Sequence, residues 1–156
     1  RGERPKAQSL SLHHARVVSE TPTGPMIRFV LFSEGRKRDG DEFVVDGADL
    51  RQIKANPRVM FSHKYDSLPV GNWVRLEKLT DPKLGRIIEG DAIPLRIDDG
   101  SEAAEFSQTL FRMYAAKDMN ACSGGWIPTE LEPINDDEGR MLGLCPTKLG
   151  FRWLSG

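Results

Sequence analysis

Met119-Asn120-Ala121-Cys122-Ser123-Gly124-Gly125-Trp126-Ile127-Pro128 is the stretch around which the chain arranges itself. Read as a strand over Met119–Ile127, it makes the chain a sheet protein whose last third returns to the core after a long helix. It also holds the most suggestive chemistry. Ser123 is followed directly by Gly124 and Gly125, and two glycines let a backbone approach another group closely and adopt positive φ. A serine in such a bend can present its Oγ while neighbouring N–H groups point at a developing oxyanion. Most serines beside glycines are plain turn residues, so the stretch needs a partner before it means anything.

A serine nucleophile needs a base, because its own hydroxyl is protonated at neutral pH. The chain offers His13, His14 and His63. His13 and His14 lie in a polar N-terminal region and lack the further ligands a metal site requires. His63 follows the apolar run Arg58-Val59-Met60-Phe61-Ser62 and precedes the polar Lys64-Tyr65-Asp66-Ser67, which puts it at a strand end near solvent. A base must be reachable by substrate, and that position suits it. Ser123 and His63 are therefore the candidate nucleophile and general base, with the N–H groups of Gly124 and Gly125 as the candidate oxyanion donors. Cys122 adjoins Ser123, and neighbours on a strand face opposite ways. Cys122 is read as a small buried residue.

Working outward, Met26–Phe32 is rich in branched and aromatic residues and predicts a strand. Ser33–Asp41 is a loop carrying Arg36-Lys37-Arg38, whose ordinary role is a solvated turn. Phe43–Val45 predicts a short strand. Asp46–Ala55 predicts a short helix capped by Asp46, with Leu50 and Ile53 on its inner face; Asn56-Pro57 ends it. Pro69–Leu79 and Arg86–Leu95 predict a hairpin about the turn Asp81–Gly85. The longer helix, about 101–117, has Asp99 or Ser101 as cap and Lys117 in its last turn. Ala103, Phe106, Leu110, Met113 and Tyr114 form its apolar stripe, an ordinary core face with no cofactor role. Glu130–Gly139 reads as an acidic loop, and Met141–Leu144 and Leu149–Leu154 as strand pieces broken by Pro146. Residues 1–25 read as a flexible arm with a short strand at Ala15–Ser19, and 26–156 as one domain.

The chain has 156 residues and a net charge of −1, so no basic field draws it to nucleic acid or membrane. It contains no apolar run of the length a membrane span needs and no signal-peptide pattern. Cys122 and Cys145 fit no common zinc spacing, and free thiols in a reducing cytosol are expected. No metal or other cofactor is expected. The fold class expected from these elements is α+β, an antiparallel sheet core with flanking helices.

The order of these blocks resembles the prohead proteases of tailed bacteriophages, the capsid maturation serine peptidases. Four blocks carry the resemblance: Phe43-Val44-Val45-Asp46-Gly47-Ala48; Val59-Met60-Phe61-Ser62-His63 followed by Leu68-Pro69-Val70-Gly71; the helix opening Ser101-Glu102-Ala103-Ala104; and Ala121-Cys122-Ser123-Gly124-Gly125-Trp126. It covers about residues 26–156. It implies a β-barrel-like core similar to the herpesvirus assembly proteases, with Ser123 as nucleophile and His63 as base. It also implies cleavage of the scaffold portion of the major capsid protein, and of the chain itself, inside the prohead in the bacterial host cytoplasm. Gly124 departs from the family, which has an apolar residue there. The family's acidic third triad member lies on a strand that would begin near Leu154-Ser155-Gly156, so it is expected beyond Gly156 and the domain is expected to lack its last strand. Asp136, Asp137 and Glu138 are the alternatives inside the chain. Homo-oligomerisation is open. The competing reading is a non-catalytic capsid-assembly or scaffold module of the same fold.

Overall fold

The computed structural model describes residues 6–7, 15–36, 42–61, 67–120, 122, 125–135 and 141–150. In chain order the elements are β1 (Lys6–Ala7), β2 (Arg16–Thr21), β3 (Gly24–Ser33), β4 (Gly35–Arg36), β5 (Glu42–Phe43), a 3₁₀ turn at Val45–Gly47, β6 (Ala48–Asp49), α1 (Arg51–Ala55) and β7 (Arg58–Val59). There follow β8 (Gly71–Asp81), β9 (Gly85–Pro94), α2 (Glu102–Ala115), β10 (Gly125–Asn135) and β11 (Met141–Gly150). The class is α+β with an antiparallel sheet core, as the sequence predicts.

The main sheet has five strands in the order β2-β3-β9-β8-β7, all antiparallel. Its spine is the β8–β9 hairpin. Asp81 builds the turn by accepting from the N–H groups of Lys83 and Leu84 with one carboxylate oxygen, 2.8 and 2.9 Å. Gly85 closes it at φ 76°, a conformation that costs glycine nothing. β3 joins β9 through pairs such as Phe29 with Gly90. Among the described residues the sheet is open, ending at β2 and β7. A second sheet, β1-β10-β11-β6, is antiparallel except where β11 meets β6 in parallel.

One face of the main sheet is the core. Ile27, Phe29, Trp73, Leu76, Ile88 and Ala92 are buried on it together with Phe111 of α2. Gly90 shapes this face. A Cβ there would stand 2.9 Å from Trp73 and Leu76, so the bare Cα leaves room for the indole over β9. Phe29 and Trp73, two strands apart, meet edge to face at 5.7 Å. Irregular register at Val17/Ser19, Val30/Phe32 and Trp73/Arg75 adds to the twist.

α2 begins where expected. Ser101 Oγ accepts from Ala104 N at 3.3 Å, and Asp99 in turn accepts from Ser101 N at 3.0 Å. Its inner face is shifted from the expected stripe. Ala104, Ser107, Leu110 and Phe111 are buried, whereas Phe106 and Met113 are 46% and 37% exposed. The rotation has a cause: Phe111 fills the space that Gly71 leaves open, and Ser107 turns inward to bond backbone. The helix ends at Lys117, which takes φ 67° beyond the C-cap rather than sitting in the last turn. Asp118 N donates to Met113 O across that left-handed residue, at 2.9 Å.

Other expectations need correction. The helix at 46–55 is only Arg51–Ala55. Asp46 lies in the 3₁₀ turn and caps nothing, and Ala48–Asp49 pairs in parallel with Leu149–Gly150. Leu50 and Ile53 do share the buried side. Within the expected arm, Ala15 is buried and Arg16–Thr21 is an edge strand of the main sheet. Glu130 and Glu132 belong to β10 rather than to a loop, and β11 runs unbroken through Pro146. The β10–β11 register shifts beside Pro128 and Pro146, the irregular positions where a strand accommodates proline.

The outer face of the main sheet carries an ion cluster. Asp91, 4% exposed, accepts from Arg28 at 2.8 and 3.1 Å and from Arg75 at 2.9 and 3.1 Å. Arg75 also bonds Glu89 at 2.6 Å. Burial alone pushes the Asp91 carboxyl up, but the bonds from Arg28 and Arg75 outweigh it and hold it at about 2. A carboxyl depressed on folding stabilises fully above its unfolded value, near 3.8, and loses that contribution as pH falls toward 2. In urea titrations between pH 5 and pH 2, the wild type is expected to lose stability more steeply than Asp91→Asn. Parallel curves would remove Asp91 from the acid transition.

Candidate functional site

His63, Ser123 and Gly124 lie outside the described residues, as do His13, His14, Lys37, Arg38 and the acidic candidates Asp136, Asp137 and Glu138. Gly125 opens β10 and pairs with Ala7. The described chain on either side of the two chief candidates defines how each is approached.

The approach to His63 starts at β7. The expected strand at Arg58–Ser62 is shorter, Arg58–Val59 only, because just those two residues pair with β8. Met60 and Phe61 follow outside the ladder. Phe61 packs edge to face on Phe106 of α2, with centroids 5.2 Å apart. The chain comes back through Ser67, Leu68 and Pro69 to Val70, whose N–H donates to Val59 O at 2.9 Å. Ser107, fully buried, donates its hydroxyl to Val70 O at 2.6 Å and accepts from Leu95 N at 2.8 Å. The described residues on either side of 62–66 are thus tied to each other by Val70 N–H to Val59 O and to α2 by the Phe61–Phe106 and Val70–Ser107 contacts.

The approach to Ser123 is Cys122. Its thiol points at Val30 O, 3.8 Å away, and packs against the core. Burial pushes the thiol up to about 12, so it stays protonated and inert at neutral pH. Cys122 is therefore a packing residue, as expected, but the strand expected over Met119–Ile127 starts late: Met119 and Asn120 lie outside any strand and β10 begins at Gly125. Val30 lies on β3 past Arg28, where the ladder with β2 ends. Tyr114, also pushed up to about 12 by burial and then by Cys122, stands edge to face on Phe29 in the same region.

Val59 is on β7 and Cys122 docks on β3, strands three places apart in the sheet. In a flat sheet that separation is about 14 Å. Hydrogen-bond reach between a base on one approach and a nucleophile on the other therefore requires the sheet to curl.

An open depression of about 420 Å³ lies elsewhere, between β6, α1 and β8. Its Asp49 is held at about 2 by hydrogen bonds from Arg51. That pairing occupies the carboxylate, and nothing there makes a reactive centre. Among the described residues no cluster of His, Cys, Asp or Glu could hold a metal ion, and no helix is long and apolar enough to cross a membrane.

The sequence reading missed Ser107 and the Phe61–Phe106 pair. A signal for Ser107 was present: a serine three residues after Ala104 and four before Phe111 falls on the apolar face of the helix once the stripe is phased on those two.

Compared with known proteins, the chain matches no family model, no curated protein and no solved structure.

Proposed function

We propose that the chain is a serine endopeptidase of the prohead maturation type, cutting the scaffold portion of a capsid protein and itself. The observation that carries the reading is the placement of the two approaches. The Val59–Val70 bond beside the His63 segment and the Cys122 contact at Val30 lie three strands apart on one open sheet, and the elements between them in the chain are the β8–β9 hairpin and then α2.

In the proposed chemistry His63 takes the proton from Ser123 Oγ as the oxygen attacks a peptide carbonyl. N–H groups of Gly124 and Gly125 hold the oxyanion. The tetrahedral adduct collapses as His63 returns the proton to the leaving amine, and water repeats the sequence in reverse to release the acyl group. An acidic third residue, which the reading leaves unassigned, would fix the imidazole tautomer.

The test is a fluorophosphonate probe followed by peptide mapping. One adduct is expected, on Ser123, absent in Ser123→Ala and in His63→Ala. An adduct elsewhere, or none beside an assembling capsid, overturns the reading and moves the non-catalytic assembly module ahead.

A further inference from the structure

We infer that the chain forms a symmetric dimer through the outer face of α2, the two copies of the helix packing antiparallel about Thr109. The dimer requires nothing of the peptidase reading. Phe106 and Met113, expected in the core stripe of the helix, are 46% and 37% exposed. Glu102, Glu105, Thr109, Arg112 and Ala116 are exposed beside them. Together they form one continuous face along the helix, opposite the buried Ala104, Ser107 and Phe111. Phe61 packs edge to face on Phe106, centroids 5.2 Å apart, so the apolar surface continues off the helix.

The pattern on this face selects a second copy of the chain as its occupant. At 3.6 residues per turn, Thr109 lies on the midline, Phe106 and Met113 on one flank, and Glu105 and Arg112 on the other. The spacing about Thr109 is antisymmetric: Phe106 is three residues before it and Met113 four after, while Glu105 is four before and Arg112 three after. A symmetry axis crossing the helix at Thr109 reverses chain direction and keeps each flank on its own side. Phe106 then meets Met113 of the second copy, an aromatic–thioether contact that is favourable. On the other flank Glu105 meets the second copy's Arg112. Each contact is made twice. A parallel pair would lay the apolar flank against the charged one and gain neither. The charges are free to act this way. Within one helix Glu105 and Arg112 are two turns apart, beyond the three- and four-residue spacing at which helical side chains pair. Among the described residues neither forms a salt bridge, and Arg112 reaches only the hydroxyl of Thr109, at 3.4 Å.

The experiment is sedimentation velocity in reducing buffer over a range of concentrations. It compares the wild type with Glu105→Arg, Arg112→Glu, the double reversal of both, and Met113→Lys, with circular dichroism to verify folding. The wild type is expected to sediment as a dimer at high concentration and to dissociate on dilution. Each single reversal replaces two attractive contacts by two repulsive ones and should raise the dimer Kd on the order of tenfold or more. The double reversal should restore the dimer, because opposite charges again face each other across the axis. An equimolar mixture of the two single variants should also dimerise, one carrying two positive and the other two negative side chains at these positions. Met113→Lys should be monomeric; if it does not fold, the charge series is read alone. Oxidation of Met113 by peroxide should slow as wild-type concentration rises, which places the contact on this face. A wild type that is monomeric throughout overturns the proposal. So does a dimer indifferent to the substitutions, or one that neither the double reversal nor the mixture restores. If Met113 is protected only when a capsid protein is present, the face belongs to that partner and the dimer is equally overturned.

Discussion

Ser123→Ala is expected to abolish self-cleavage and cleavage of co-expressed capsid protein, and His63→Ala to match it closely. The two should not add. A nucleophile and its base act as one unit, and in such pairs either deletion costs nearly what both cost, commonly a factor of about 10⁴ or more in kcat. The double variant therefore separates a working pair from two unrelated residues, each of which would contribute its own loss. Intact mass over time, for the protein co-expressed with a capsid protein, reads the result directly. The acid side of the profile carries a further check: activity should fall as the imidazole takes a proton, because His63 must be neutral to act as base. Equal cutting by wild type and Ser123→Ala would end the assignment. The inert Cys122 makes that outcome clean, since a thiol held protonated by burial offers no substitute nucleophile one position away.

The parts of the fold that the sequence made legible are those decided within a few residues. Alternating apolar residues around Asp81-Pro82-Lys83-Leu84-Gly85 announced the β8–β9 hairpin, and its turn is built from those residues. Ser101 announced the start of α2. The parts that stayed hidden are set by distant chain. Ala48–Asp49 looks helical locally, but its backbone is taken up by Leu149–Gly150, about a hundred positions away. The phase of α2 could not be read from its own stripe, because Gly71 and Val70 select Phe111 and Ser107. Asp91 looked like one charge in a strand; only the β3–β9–β8 register brings Arg28 and Arg75 to it. For the candidate site, the packing role of Cys122 was readable from its small apolar side chain, whereas the start of β10 at Gly125 was not. The ties on either side of residues 62–66 were not readable either, since they depend on where α2 lies.

Gly71→Ala is expected to be among the most destabilising single-methyl changes in the chain. An alanine Cβ at that position would stand 2.5 Å from Ile93 O and 2.8 Å from the Phe111 ring. Neither neighbour can yield cheaply. Gly71 is paired on both sides, with Val59 in β7 and with Pro94 in β9, so its backbone cannot slide from the carbonyl without opening one ladder. Phe111 is 2% exposed and has no vacant side to swing into. Overpacking of this kind costs about 1–3 kcal/mol, and the rigid carbonyl puts Gly71→Ala at or above the upper end. For a domain of this size that corresponds to a fall in Tm of roughly 6–12 °C. Gly85→Ala is the contrast. Its φ of 76° is unfavourable for alanine but open space surrounds it, so only the left-handed backbone cost of about 1–2 kcal/mol applies. Phe111→Leu should relieve the ring part of the Gly71→Ala clash and leave the carbonyl part, so the double variant should recover only a fraction of the loss. Thermal melts of the set decide it: a Gly71→Ala protein melting with the wild type would mean that β7, β8 and α2 do not meet at this residue, and the Val59–Val70 and Val70–Ser107 ties beside it would lose their foundation with it.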